Sequence, residues 1–138
     1  MASKVYPKTL KKYLTTTGHL ENLGQLMMAL VSSGYTYSNA HEFYSSISAH
    51  VLGTPMALDM MATVTVDGDN IIVDGTGDPL TFLSVAAGSE VGYVLFYDSS
   101  GNPATSSLIT LSDVTNTPTN GGNIQVTINS NGIFRIVT

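Results

Sequence analysis

Residues 91–97 read VGYVLFY, and this stretch decides the fold. It is apolar on both faces apart from Gly92, and the turn-forming sequence SSGNP follows it at residues 99–103. Apolar side chains on both faces are typical of a strand that is buried on both sides. The apolar residues 108–111 come directly after the turn. We therefore expect a central strand at 91–97 and a second strand that folds back beside it.

Short strand-like runs lie on either side of this pair. Residues 62–66 alternate in polarity and 71–73 are apolar, with a polar Asp-Gly loop between them, which predicts a hairpin. Residues 80–85 form another candidate strand. Residues 124–128 and 133–137 flank the turn NSNG and give the strongest hairpin signal in the sequence. Strands about ten to fifteen residues apart predict a mainly β chain built as a sandwich or a barrel. Of these two we take a β-sandwich of the jelly-roll or immunoglobulin-like type as the expected fold.

Two segments before residue 53 are harder to interpret. Residues 20–31 fit a helical apolar stripe and also one face of a strand, so this interpretation stays open. Residues 41–48, HEFYSSIS, predict a short helix, because Phe43, Tyr44 and Ile47 would then share one face. Asn39 is placed to cap the start of that helix.

The positive charge of the chain is concentrated at its N-terminus. The 138 residues include only five Lys and Arg, and four of these are Lys4, Lys8, Lys11 and Lys12. All ten acidic residues lie beyond position 20. Pro7 suits the first turn of a short helix. We therefore predict a basic, partly helical N-terminal arm over residues 1–18 and a single β-sandwich domain over residues 19–138.

The composition also narrows the classes of partner. Only 11% of residues are charged and the net charge is −5, which disfavours binding of nucleic acid by the whole protein. The N-terminus lacks the apolar stretch of a signal peptide, and no apolar run approaches the length of a membrane span. The low charge and high Ser and Thr content are nevertheless typical of proteins that work outside cells. A virion component that is made in the host cytoplasm and released by lysis fits both observations.

The sequence carries no strong catalytic or metal-binding motif. It has no cysteine, so thiol chemistry and disulfides are excluded. His41 and His50 are nine residues apart, whereas helical zinc sites place two histidines four apart. The aspartates between Asp67 and Asp78 lack the closing Glu of a calcium loop, and no Gly-x-Ser-x-Gly nucleophile motif occurs. We expect a non-enzymatic protein without a cofactor.

A methionine-rich run is the other candidate contact surface. Residues 56–61 read MALDMM, and methionine adapts well to irregular interfaces. A place in the core is the competing interpretation of this run. We take Met56, Met60 and Met61 as candidate partner-binding residues, together with the four N-terminal lysines.

Several stretches of the sequence resemble small structural proteins of tailed bacteriophages, of the capsid decoration (cement) type. LVSSGYT at 30–36, HEFYSSIS at 41–48 and GT at 53–54 resemble one segment of that family. GYVLFY at 92–97, with ATSSLI at 104–109, looks like its central hairpin, and the NGIFRI ending is similar too. The chain departs from the family pattern after Thr54, where Pro-Met stands in place of Gly-Tyr.

The resemblance implies a strand at 24–31, a β-sandwich and a non-enzymatic role on the outer face of a phage capsid. It implies the major capsid protein as partner and a homo-oligomer, with a trimer favoured. In that role Lys4, Lys8, Lys11 and Lys12 would meet acidic patches on the capsid protein. Two alternatives stay open from the residues: a tail or neck (connector) protein of the virion, and a carbohydrate-binding or adhesin-like β-sandwich.

Overall fold

The structure is a computed structural model that describes residues 3–9, 26–57, 63–67, 70–74, 80–126 and 134–136. These residues are mainly β and their strands pair antiparallel, which confirms the predicted mainly β class. The strands, in chain order, are β1 (Ser3–Val5), β2 (Leu26–Ser32), β3 (Val51–Ala57), β4 (Thr63–Asp67), β5 (Asn70–Asp74), β6 (Leu80–Phe82), β7 (Glu90–Asp98), β8 (Ser107–Pro118), β9 (Ile124–Val126) and β10 (Phe134–Ile136).

The largest sheet contains five strands in the order β1-β8-β7-β2-β3. As predicted, β7 is central and β8 folds back beside it, with Leu95 opposite Leu111. The open interpretation of residues 20–31 is decided in favour of a strand from Leu26 onward, because β2 fills the place between β7 and β3. Residues 20–25 lie outside the described part of the chain.

Both faces of this sheet are covered, which explains why β7 is apolar on both faces. Along β2, Met28 and Leu30 point to one face, whereas Ala29 and Val31 point to the other. The first face packs against side chains of β6 and β9; we call it the β6 face. The opposite face is covered by several tyrosines and by Ile47, and we call it the tyrosine face.

The segment predicted as a helix over 41–48 forms two short 3-10 turns instead, Tyr44–Ser46 and Ser48–His50. Serine hydroxyls compete for backbone hydrogen bonds and weaken an α-helix, and three serines lie in this segment. Ile47 is its one fully buried side chain, so a single anchor holds it to the sheet. Asn39 does not cap either turn; Phe43 precedes the first and bridges to Ser107.

Residues 3–9 belong to the predicted N-terminal arm and dock on the large sheet; we call them the N-terminal segment. β1 pairs with β8, so that Ser3 lies opposite Ser112 and Val5 opposite Thr110. The Tyr6 side chain is fully buried, and its backbone N–H donates to the Ile109 carbonyl at 3.1 Å. Residues 7–9 then take helical backbone, where Pro7 predicted a first turn. Residues 10–18 lie outside the described residues.

The two predicted hairpins differ in outcome. β4 and β5 pair as expected, with Thr63 opposite Asp74. The prediction of a hairpin between residues 124–128 and 133–137 is wrong, because β9 pairs with β6 and β10 pairs with β5. Turn residues mark where a strand ends, but they do not determine which strand pairs with it. The burial of apolar side chains determines that pairing. Ile124 and Val126 of β9 pack against the β6 face, and this contact places β9 beside β6.

Candidate functional site

The N-terminal segment presents lysines at a fixed place on the acidic body. Lys4 and Lys8 are both exposed, so their charges face solvent. The Lys4 Nζ lies 5.3 Å from the centre of the Tyr37 ring, a cation–π contact of about 0.5–1 kcal/mol at an exposed site. Because the segment is docked on β8, these two charges are held at one edge of the sheet.

The other candidate contact residues are distributed differently from this pair. Met56 on β3 is half-buried and packs against the β6 face, so part of its side chain belongs to the chain's own core. Lys11, Lys12, Met60 and Met61 lie outside the described residues. The structure therefore brings Lys4 and Lys8 together on one segment and places Met56 on a different strand.

The most ordered polar arrangement on the tyrosine face joins Tyr6, Tyr35 and His41; we call it the Tyr6–Tyr35–His41 network. The Tyr6 and Tyr35 hydroxyls are 3.1 Å apart, and the Tyr35 hydroxyl lies 2.8 Å from His41 Nδ1. Tyr6 is 0% exposed and Tyr35 is 3% exposed, whereas His41 is half-buried. The network thus connects the N-terminal segment to the loop after β2 and ends close to the surface.

Aromatic rings surround this network. Tyr37 packs against Tyr6 with ring centres 5.2 Å apart, and Tyr93 meets Tyr35 edge-on at 6.2 Å. The exposed His50 ring meets Tyr35 edge-on at 5.4 Å. These edge-on and tilted contacts are the favoured geometries of aromatic pairs, and each adds about 0.5–1.5 kcal/mol beyond the area it buries. They hold the Tyr6 and Tyr35 rings in place.

A second aromatic pair holds the first 3-10 turn. The Tyr44 ring stacks on Tyr97 with centres 4.6 Å apart, and the Tyr44 N–H donates to the Ser106 carbonyl at 2.8 Å. Burial, together with the nearby Tyr44, raises the pKa of Tyr97 to about 12. Residues 41–48 are thereby held against the β7–β8 turn.

Burial decides the chemistry of the tyrosine face. Burial raises the pKa of Tyr6, and the hydrogen bond between the Tyr6 and Tyr35 hydroxyls raises it further. Burial also raises the pKa of Tyr35, although its hydrogen bond with Tyr6 acts in the opposite direction. Both phenols therefore stay protonated at neutral pH, where they act as hydrogen-bonding groups and not as bases or nucleophiles.

The histidine and aspartate candidates form no metal-binding cluster in the described part of the chain, although His41 and His50 both contact Tyr35. His41 is half-buried and His50 is exposed, and no group of three His, Asp or Glu among the described residues is arranged to hold a metal ion. Asp67 lies opposite Asn70 beside the β4–β5 turn, whereas Asp74 lies opposite Thr63 at the far end of that hairpin. Asp69 and Asp78 lie outside the described residues.

A shallow polar depression of about 340 Å³ lies where β2 ends beside β7 and β8. It is lined by Ser33, Gly92, Tyr93, Asp113, Val114 and Asn116. Two of these lining residues, Gly92 and Ser33, approach each other closely, which leaves no room for a side chain at position 92. Within the described residues, no helix is long and apolar enough to cross a bilayer.

Sequence reasoning missed the Tyr6–Tyr35–His41 network. Tyr35 and His41 are only six residues apart, so their proximity was a usable local signal. Tyr6 is 29 residues from Tyr35, and its place depends on β1 pairing with β8, for which the sequence offers no local sign. Comparison of the chain with protein-family models, curated proteins and solved structures gave no significant match.

Proposed function

We propose that this chain is a non-enzymatic virion structural protein that binds the outer surface of a phage capsid and stabilises the shell. The major capsid protein is the partner, and the chain acts as a homo-oligomer, with a trimer as the favoured form. The place of action is the capsid exterior, after synthesis in the host cytoplasm. The runner-up is a tail or neck protein of the same virion, which differs chiefly in the number of copies per particle.

One observation carries this proposal: the stretches that resemble decoration proteins meet in space. The Leu108 N–H donates to the Glu42 carbonyl at 2.9 Å, which joins residues 41–48 to β8. Tyr44 stacks on Tyr97, which joins the same residues to β7. β2, which contains Leu30 and Val31, pairs with β7 along its whole length. Stretches that are far apart in sequence therefore form one continuous part of the fold, as expected if they are similar to the family as a unit.

We further propose that the fold is a β-sandwich of the jelly-roll or immunoglobulin-like type. Phe82 of β6 is fully buried on the β6 face of the large sheet, and Ile124 of β9 packs beside it. This contact supports two sheets packed face to face. A rigid β body that buries surface at joints between subunits is what shell stabilisation requires.

The N-terminal segment supplies the electrostatic part of the proposed contact. Lys4 and Lys8 project from a body whose net charge is negative, and the docked segment limits the entropy lost when they meet acidic residues. Each exposed ion pair contributes only about 0–1 kcal/mol. Repetition over many copies of an oligomer multiplies that contribution through avidity.

Charge reversal at the two lysines tests this contact. Shells assembled without the chain are incubated with wild type or with the Lys4→Glu/Lys8→Glu variant. Two lost ion pairs and two new repulsions are expected to weaken binding about tenfold at low salt. The difference is expected to narrow at high salt, since screening shortens the range of exposed charges.

A Lys4→Arg/Lys8→Arg variant, which keeps both charges, is the matched control and is expected to bind like wild type. Deletion of residues 1–12 is a poor substitute, because it also removes the buried Tyr6 side chain. Binding that is equal for the Glu and Arg variants at low salt would remove the lysines from the contact. Failure of the wild-type chain to bind the shells would count against the capsid role itself.

A further inference from the structure

The number of protons in the Tyr6–Tyr35–His41 network depends on the charge of His41. Both phenols carry one hydroxyl proton each, and burial keeps those protons in place. The hydroxyl of Tyr6 has Tyr35 as its hydrogen-bond partner and no other among the described residues. Beyond Tyr35 the network ends at His41 Nδ1. Among the described residues, every proton of the network is therefore accepted within this short row of atoms.

With neutral His41, all protons find an acceptor. Tyr6 donates to the Tyr35 oxygen, and Tyr35 donates to the lone pair of His41 Nδ1. This direction requires the imidazole proton to sit on Nε2. The backbone of Ser38 also interacts with the Tyr35 hydroxyl, which further fixes its position. The N-terminal segment is then docked with its buried hydroxyl satisfied.

With protonated His41, one proton has no acceptor. The imidazolium carries a hydrogen on Nδ1 and becomes a donor to Tyr35. Three protons then share the two hydroxyl oxygens of Tyr6 and Tyr35. If Tyr35 accepts from His41 and donates to Tyr6, the hydroxyl proton of Tyr6 is left without an acceptor in the core. If His41 instead turns to solvent, Tyr35 loses its acceptor. The first outcome leaves a buried donor unsatisfied, which is costly, and the second breaks the link between Tyr35 and His41.

Other titratable or charged groups border the network from each element packed around it. They are Lys4 on β1, Tyr37 and Glu42 in the loop after β2, His50 in the second 3-10 turn, and Tyr93 on β7. Imidazole is the side-chain type that changes charge near neutral pH, and His50 is the one of these neighbours that carries it. His50 contacts Tyr35 through its ring, whereas His41 holds the hydrogen bond.

We propose that His41 is a pH-sensitive latch on the N-terminal segment: neutral His41 holds Tyr6 in the core, and protonated His41 weakens that docking. Loss of that docking would uncover the edge of β8 at residues 110–112, where β1 pairs. It would also release the segment that carries Lys4 and Lys8. This inference concerns docking alone and does not depend on the proposed capsid role.

Hydrogen exchange of the full chain at pH 7.5 and pH 5.0 tests the latch. Exchange times are corrected for the pH dependence of the intrinsic amide exchange rate. The remaining differences then report how often the structure opens. The protection of the Tyr6 amide, which is bonded to Ile109, is expected to fall about tenfold to a hundredfold at pH 5.0. The amides of β7 are expected to keep their protection, which shows that the body stays folded.

Two matched variants separate the histidines. His41→Asn places an amide oxygen near the position of Nδ1, where it accepts from Tyr35 but gains no proton, so protection is expected to be equal at both pH values. His50→Asn is expected to keep the full pH dependence of wild type. Tyr35→Phe removes the acceptor of Tyr6 and is expected to lower protection at both pH values.

Two results would overturn the latch. The first is wild-type protection at Tyr6 that does not change between the two pH values. The second is a fall in protection that persists in His41→Asn, or that disappears in His50→Asn while β7 stays protected. Either result would mean that the pH dependence of docking does not originate at His41.

Discussion

Replacing Tyr6 with alanine is expected to lower the free energy of unfolding by about 3–5 kcal/mol. The Tyr6 ring is fully buried on the tyrosine face, packs on Tyr37, and holds the N-terminal segment against β8. Removing a large buried aromatic ring forfeits its burial and leaves a cavity, and here it also weakens β1. Urea unfolding followed by circular dichroism measures the change.

Two further variants locate the origin of this loss. Lys8→Ala changes an exposed side chain in the same segment and is expected to stay within about 0.5 kcal/mol of wild type. Tyr6→Phe keeps the ring and removes the hydroxyl, with an expected cost of about 0.5–1.5 kcal/mol. A Tyr6→Ala variant as stable as Lys8→Ala would mean that residues 3–9 form a loose arm after all.

Gly92→Ala is expected to cost about 1–3 kcal/mol, because the added methyl group has no space. A Cβ at this position would lie 2.6 Å from Ser33 Cα and 2.8 Å from Ser33 Cβ. Backbone atoms cannot rotate away, so β7 and the end of β2 would have to separate. The register of β7 shifts at this position against both β2 and β8, which ties the glycine to the local geometry.

Gly34→Ala is the control for this prediction. Its added Cβ would lie 3.6 Å from the Ser32 hydroxyl oxygen, an ordinary contact, and Gly34 is exposed. We expect its unfolding midpoint in urea to match wild type closely, whereas that of Gly92→Ala shifts to lower urea. Equal midpoints for the two variants would contradict the close approach of Ser33 to β7.

Strands were predictable from the sequence where one strand's own pattern was decisive. β7 is apolar on both faces because both faces of its sheet are covered, and the run at 91–97 carries that signature directly. β2 left helix and strand open, because its apolar residues fit both periodicities. Its place between β7 and β3 decides the matter, and this is a property of the sheet and not of the segment.

Pairing and docking were not predictable in the same way. The turn at residues 129–132 suggested a hairpin, yet β9 and β10 pair with β6 and β5. β1 has three residues and lies far from β8 in sequence, so no local pattern indicates it. For the same reason the four lysines were predictable as a charged cluster, but the docking of the segment that carries Lys4 and Lys8 was not.

Copy number per particle tests the capsid role most directly. Particles released by lysis of cells that carry the gene for this chain are purified, and the chain is counted against the most abundant shell protein by quantitative mass spectrometry. In the proposed capsid role the chain is expected at hundreds of copies per particle, and these copies are lost when the outer surface is stripped while the shell itself remains. A count of tens or fewer, as for a tail or neck component, or no chain in the particle, would contradict it.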